Sequence, residues 1–138
     1  MRLNHFHFSS NTVPKTCEFY RRYFGFEVRW QILDKVVLGN RDGFILAIDP
    51  IPISSPAPDR TSLAPPLQHL GFYLDDVEEV VALHRRMKDD GVSIQQELTE
   101  RSENCRHFYC VDPSGNSIEV GWNQAFINTG GNTHETLP

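Results

Sequence analysis

One pattern is written twice along this chain. Asn4-His5-Phe6-His7-Phe8 and Gln68-His69-Leu70-Gly71-Phe72 each pass through a short polar loop to a valine, Val13 or Val77, that begins a helical stretch. The match runs on through Arg21-Arg22-Tyr23-Phe24-Gly25 and Arg85-Arg86-Met87-Lys88, with Gly91 closing the second helix. Gly43 to Ile48 faces Gly115 to Val120 at the far ends. Self-similarity at a period of roughly 65 residues indicates duplication of a unit larger than a solenoid repeat. It also puts His5 and His69 at equivalent places on two strands.

Periodicity supplies the elements of each copy. Leu3 to Ser9 alternates with period two, so Leu3, His5, His7 and Ser9 share one face and Asn4, Phe6 and Phe8 the other. Thr12 is placed to cap a helix whose first turn tolerates Pro14, whose apolar stripe is Phe19, Tyr20, Tyr23 and Phe24, and which stops at Gly25. Strands are expected over Phe26 to Gln31, Lys35 to Leu38 and Phe44 to Ile48, the last pair joined by Asn40-Arg41-Asp42-Gly43. The unit is βαβββ. The second copy has a strand over Leu67 to Leu74, Asp75 or Asp76 as cap, and a helix from Val77 to about Asp90 with Val80, Val81, Leu83, His84 and Met87 turned inward. Strands near Ser93 to Leu98, Arg106 to Val111 and Ser117 to Trp122 complete it, the last two separated by the turn Asp112-Pro113-Ser114-Gly115-Asn116.

Between the copies, Asp49 to Pro66 holds six of the nine prolines and no period, which marks a linker. The expected organisation is a single domain over 1–122, with module one at 1–49, linker 50–66 and module two 67–122, followed by a polar tail over 123–138. A length of 138 residues suits one compact domain. The formal net charge of −5 and the lack of any basic run argue against nucleic acid or an anionic membrane surface as partner, leaving small molecules. No apolar stretch approaches the roughly 18 residues that span a bilayer. The N-terminus begins a strand instead of a signal sequence, so the expected location is the cytoplasm. Cys17, Cys105 and Cys110 are odd in number and lack CxxC spacing, which gives neither a disulfide framework nor a zinc-thiolate site.

Strand alternation decides where the chemistry points. In the last strand Ile118, Val120 and Trp122 alternate with Ser117, Glu119 and Gly121. Around His69, the side chains of Leu70, Phe72 and Leu74 take one face and those of His69, Gly71 and Tyr73 the other. His5, His69 and Glu119 therefore leave the face that packs on the helices. Two imidazoles and a carboxylate resemble a facial metal triad with open positions, built between the halves.

Leu3-Asn4-His5 leading to Phe19-Tyr20 and Phe24-Gly25-Phe26, the restart at His69, and Asp112-Pro113-Ser114-Gly115-Asn116-Ser117-Ile118-Glu119 together resemble the vicinal oxygen chelate superfamily. That group contains glyoxalase I, fosfomycin-resistance transferases, methylmalonyl-CoA epimerase, extradiol dioxygenases and bleomycin-binding proteins. The resemblance covers residues 2 to about 122, and its most specific element is the Asp-Pro-x-Gly-(x)3-Glu ending. It implies an α+β fold of paired βαβββ modules forming an incomplete barrel with the helices outside. It also implies a divalent metal held by His5, His69 and Glu119, with Fe, Mn, Zn and Ni all open, and a homodimer.

Departures narrow the expected activity. The fourth ligand that glyoxalase I and the epimerases take from the last strand of module one falls at Ala47, which can neither ligate nor act as a base. A phosphonate-binding transferase lacks its basic residue here, because residues 123–138 contain no Lys or Arg. What the resemblance implies is an extradiol-type dioxygenase or a lyase or isomerase, acting on a substrate that chelates the metal through neighbouring oxygens. His7, on the face of His5, is the first candidate acid or base; Tyr109 is a donor to a developing oxyanion, and His107 is a further candidate. The competing reading is a metal-free small-molecule binder of the bleomycin-resistance type, with Trp30, Phe108 and Trp122 forming an aromatic groove.

Overall fold

The computed structural model describes residues 3–52 and 68–127. It contains two four-stranded mixed sheets, neither closed on itself, each associated with one long helix in βαβββ order. The α+β fold expected from the duplication is present.

In the first unit, β1 (His5–Ser10), β2 (Glu27–Ile32), β3 (Lys35–Gly39) and β4 (Ile45–Pro50) make a sheet in the order β1-β4-β3-β2. β1 runs parallel to β4, pairing His5 with Ile45, His7 with Ala47 and Ser9 with Asp49. Helix α1 (Val13–Phe24) ends at Gly25, whose φ of 64° admits glycine at no steric cost. Thr12 occupies the N-cap place but makes no side-chain cap hydrogen bond, contrary to expectation. Its backbone is instead tied down from both sides: its N–H donates to Ser10 Oγ at 2.9 Å, and its carbonyl accepts from Thr16 Oγ1 at 3.1 Å.

The core of this unit lies between α1 and one face of the sheet, where Tyr20, Phe26, Leu38, Leu46 and Ile48 are fully buried. Burying each such side chain contributes about 1.5–3 kcal/mol. Tyr20 meets Phe26 edge-on at 6.0 Å between ring centroids. β2 carries a bulge between Val28, which pairs with Leu38, and Trp30, which pairs with Val37. One extra residue reverses the facing of the rest of the strand, so Val28 and Gln31 share the helix side while Trp30 and Ile32 turn to the other. Residues Val111–Asn116, which the duplication assigns to module two, group with this first unit.

The second unit contains β5 (Leu70–Tyr73), helix α2 (Val77–Asp89), β6 (Ile94–Ser102), β7 (Cys105–Val111) and β8 (Ser117–Asn123), with sheet order β5-β8-β7-β6. β5 is parallel to β8, pairing Leu70 with Ile118 and Gly71 with Glu119. Asp76 caps α2 by accepting from the Glu78 N–H at 2.8 Å, and Gly91 follows the helix with a φ of 77°. Val80 and Met87 of α2 are fully buried, as are Phe108, Ile118 and Val120 of the sheet. His84 is largely buried against Phe108, 4.9 Å between centroids, and its Nε2 contacts Glu97 Oε2 at 2.9 Å.

Several boundaries differ from expectation. β4 continues through Asp49 into Pro50, so the first residues assigned to the linker are strand. β5 is shorter than expected and β6 runs on to Ser102, past repeated register shifts that obscure its alternation. Past β8 the chain forms a short helix, α3 (Gln124–Ile127), where the sequence suggests only a polar tail. The rest of the expected linker, residues 53–66, and of the tail, 128–138, lies outside the described residues. Among the described residues no helix is long and apolar enough to cross a membrane.

Candidate functional site

Both sheets carry a histidine–carboxylate pair on the face turned away from their helix. Parallel pairing produces this in each unit, because side chains at paired positions of parallel strands point the same way. In the second unit Gly71 pairs with Glu119, and His69, two residues earlier, closes onto that carboxylate with Nε2 2.9 Å from Oε2. In the first unit Ser9 pairs with Asp49, and His7, again two residues earlier, puts Nε2 2.9 Å from Asp49 Oδ2.

The two pairs are displaced from one another along the repeat. His5 is the counterpart of His69 and His7 that of Gly71, and the registers His7–Ala47 and Gly71–Glu119 make Ala47 the counterpart of Glu119. The first unit thus lacks a carboxylate beside His5, and its pair is shifted two residues along the sheet. His5 is exposed, with Nδ1 2.9 Å from Asn4 Oδ1.

Surroundings distinguish the pairs. Lys35 Nζ lies 3.1 Å from Asp49 Oδ1, so that carboxylate faces an ammonium as well as an imidazole. Partial burial opposes ionisation of Asp49, but the hydrogen bonds and charges of Lys35 and His7 outweigh it and hold its pKa below the usual value. Glu119 is 8% exposed and has an aromatic and polar neighbourhood. The Tyr73 hydroxyl reaches toward Glu119 Oε1, at 3.4 Å. Burial, then the Glu119 charge, push the Tyr73 hydroxyl up to about 12, so it stays a donor at neutral pH. Tyr109 stands edge-on to His69 at 5.3 Å and to His107 at 5.6 Å between centroids.

The structure therefore orients β7 in a way that alternation alone left open. His107 and Tyr109 share the face of His69 and Glu119, and both are almost fully buried. Gln96 Nε2 is 3.4 Å from His107 Nε2. Gly121 makes this packing possible, since a Cβ there would stand 3.2 Å from Tyr73 Cε1 and from the Arg106 carbonyl oxygen, and 3.3 Å from His107 Cβ. Tyr73 is further backed by Phe126 of α3, 4.9 Å away between centroids.

Of the six residues singled out in the sequence, His69, Glu119, His107 and Tyr109 come together in the second unit, and His5 and His7 lie on the open face of the first. Among the described residues no group of three or more His, Cys, Asp or Glu side chains is gathered as a metal site. The two expected donors that do meet fit a shared ion: with bonds of about 2.0–2.2 Å at a right angle, their donor atoms would stand roughly 3 Å apart. Sequence reasoning missed Tyr73, Asp49 and Lys35 as site neighbours. Tyr73 was legible as a co-facing residue of His69, whereas Asp49 was hidden by its place at the start of a proline-rich stretch.

Solved structures with the same fold are numerous. One described as a possible glyoxalase from Bacillus cereus is 26% identical, covers 87% of this chain and 97% of its own, and superposes with a TM-score of 0.70. A lactoylglutathione lyase from Agrobacterium tumefaciens is 23% identical over 91% of this chain and 96% of its own, with a TM-score of 0.67. A genomically encoded fosfomycin resistance protein from Listeria monocytogenes is 18% identical over 89% and 93%, with a TM-score of 0.72. No curated protein matches significantly. The sequence profile of the glyoxalase/bleomycin resistance protein/dioxygenase superfamily matches residues 2–120, nearly the whole of both repeats, and the chain belongs to that superfamily.

Proposed function

We propose that the protein is a divalent-metal-dependent enzyme acting on a small substrate that chelates the ion through neighbouring oxygens. The observation that carries this reading is the approach of His69 Nε2 to Glu119 Oε2, 2.9 Å, on the face turned from α2. His69 and Glu119 would hold the ion, with His5 as third donor by its place in the repeat. Such an ion lowers the pKa of a chelated hydroxyl and stabilises the anion that results.

The chain's own residues supply the rest. His7 is the group that moves a proton, and its contact with Asp49 fixes which ring nitrogen is engaged and which is left to act. Tyr109 packs edge-to-face with the His69 imidazole and is the donor for a developing oxyanion. His107, buried beside it, is the second candidate for proton transfer. Either an extradiol-type oxygenation or a proton-moving lyase or isomerase step uses this set. The 26% identical structure described as a possible glyoxalase supports the second class.

A metal-free small-molecule binder is the alternative, favoured by the finding that among the described residues no three His, Cys, Asp or Glu side chains gather at one point. Metal content of protein purified without chelator separates the two. The enzyme reading expects one divalent ion per chain, lost in both His69→Ala and Glu119→Gln while the circular dichroism spectrum is kept. Full retention of the ion in both variants, or an ion-free wild type that binds none on addition of Mn, Fe, Zn or Ni, overturns it.

A further inference from the structure

On the helix side of the first sheet, opposite His7 and Asp49, lies a cavity of about 540 Å³. Its size falls within the roughly 300–1,000 Å³ of small-molecule sites. The bulge in β2 helps to build it, by turning Gln31 to the helix side beside Val28 and Val36.

The lining states what would fit. Ser10 and Thr12 form part of the wall, where the Thr12 N–H donates to Ser10 Oγ at 2.9 Å and the Ser10 hydroxyl shares a hydrogen bond with that of Thr16 at 3.0 Å. Asn11 and Gln31 add neutral amides to the lining. Val13, Cys17, Val28, Val36 and Ile51 supply apolar walls. Burial pushes the Cys17 thiol pKa up, so it stays neutral and adds no charge. Among the described residues Asp34 is the one charged side chain of the lining, and no Lys, Arg or His contributes to it. An anionic guest would meet the Asp34 carboxylate with no cation in the wall to offset it, Arg21 acting on the Cys17 thiol only from outside the lining, whereas an ammonium would gain a partner.

We propose that this cavity is a second small-molecule site, separate from the histidine–carboxylate faces, for a compact organic cation with an apolar body seated among Val13, Cys17 and Val36 and a primary ammonium at Asp34. It is independent of the metal reading, since no expected metal ligand lines it.

The test uses the full chain, isotope-labelled for backbone amide NMR, in buffer containing a metal chelator, with phenylpropylamine, phenylpropanol and phenylpropanoate as probes. The amine should shift the amide signals of Val13, Cys17, Val28 and Val36 saturably, and the alcohol should do so more weakly. The propanoate should bind least. Asp34→Asn should reduce the amine to the alcohol's affinity, a loss of roughly fivefold, as for one partly exposed ion pair. Val28→Trp, at a half-exposed position where the fold tolerates bulk, should abolish binding of all three. The site is overturned if the propanoate binds as well as the amine, if the amine's shifts fall on His7, Ala47 and Asp49, or if no probe saturates up to about 10 mM.

Discussion

The hydroxyl of Tyr20, in the middle of α1, donates to Asp112 Oδ2 at 2.8 Å, with both residues buried. Three more donors converge on the same carboxylate: the N–H groups of Ser114 and Asn116 on Oδ1 and the Asn116 side-chain amide on Oδ2. Thr16 Oγ1, one helical turn before Tyr20, meets Ser114 Oγ at 2.7 Å. The Asp-Pro-x-Gly turn that marks the family in sequence is therefore a structural anchor in this chain, and it belongs to the unit of α1.

Removing the phenol leaves a buried carboxylate short of one donor. Tyr20→Phe should lower the unfolding free energy by about 1.5–3 kcal/mol, the range for a hydrogen bond to a charged group. Urea denaturation checks this through a lower midpoint at an unchanged slope. An unchanged midpoint would mean that the Asp112 carboxylate is equally well satisfied by its remaining donors.

Asp112 also gives a pH signature. Burial, opposed by the hydrogen bonds from Asn116, Tyr20 and Ser114, raises its pKa above 3.8. A raised carboxyl pKa means the folded state binds the proton more tightly, so this group's contribution is fully present below 3.8 and is lost as pH rises through the folded value. Asp49, with its lowered pKa, acts in the opposite sense and loses its contribution as pH falls. The two are separated by difference: the stability of wild type minus that of Asp112→Asn should grow as pH is lowered. A gap that shrinks on acidification would reverse the sign.

The legibility of these features in sequence depends on the range of the interactions. The helix stops at Gly25 and Gly91, the cap at Asp76 and the facing of His69, Glu119 and Tyr73 depend on nearest neighbours and on period two, and sequence carries those. The partner of His7 is 42 residues away across a parallel strand pair, in a segment whose prolines read as linker, so nothing local announces Asp49. The bulge in β2 likewise has no composition signal, yet it decides that Trp30 and Val28 face opposite ways. The repeat makes His5 and His69 equivalent, but only the register shows that the first unit's pair is displaced to His7 and Asp49.

If His69 and Glu119 hold an ion as proposed, Tyr73 should matter to its binding without being a ligand. Its hydroxyl approaches the Glu119 oxygen that His69 does not contact, which leaves the other oxygen positioned toward the imidazole. Groups that orient a ligand typically change metal affinity by about 10–100-fold when lost. Tyr73→Phe should weaken divalent-ion affinity, measured by calorimetry on the chelator-treated protein, toward the lower end of that range, since 3.4 Å is a long hydrogen bond. Wild-type affinity in the variant would assign Tyr73 to packing alone.

Gly121 offers a test of how tightly the second unit's polar face is assembled. It sits in β8 with its carbonyl accepting from Leu74 N–H at 2.9 Å, and an added methyl would press on the Arg106 carbonyl, the Tyr73 ring and His107 Cβ at once. Two of those three are backbone or near-backbone atoms that cannot swing aside, so the strain passes to Tyr73 and to the β7–β8 spacing. Gly121→Ala should cost about 1–3 kcal/mol, the usual penalty for overpacking a filled site. The same variant should also shift the aromatic NMR signals of Tyr73 and Tyr109, because the Tyr73 ring is displaced and β7, which carries Tyr109, moves from β8. A stability loss without those shifts would place the strain in the backbone alone, and no loss at all would show that the face has room the geometry denies.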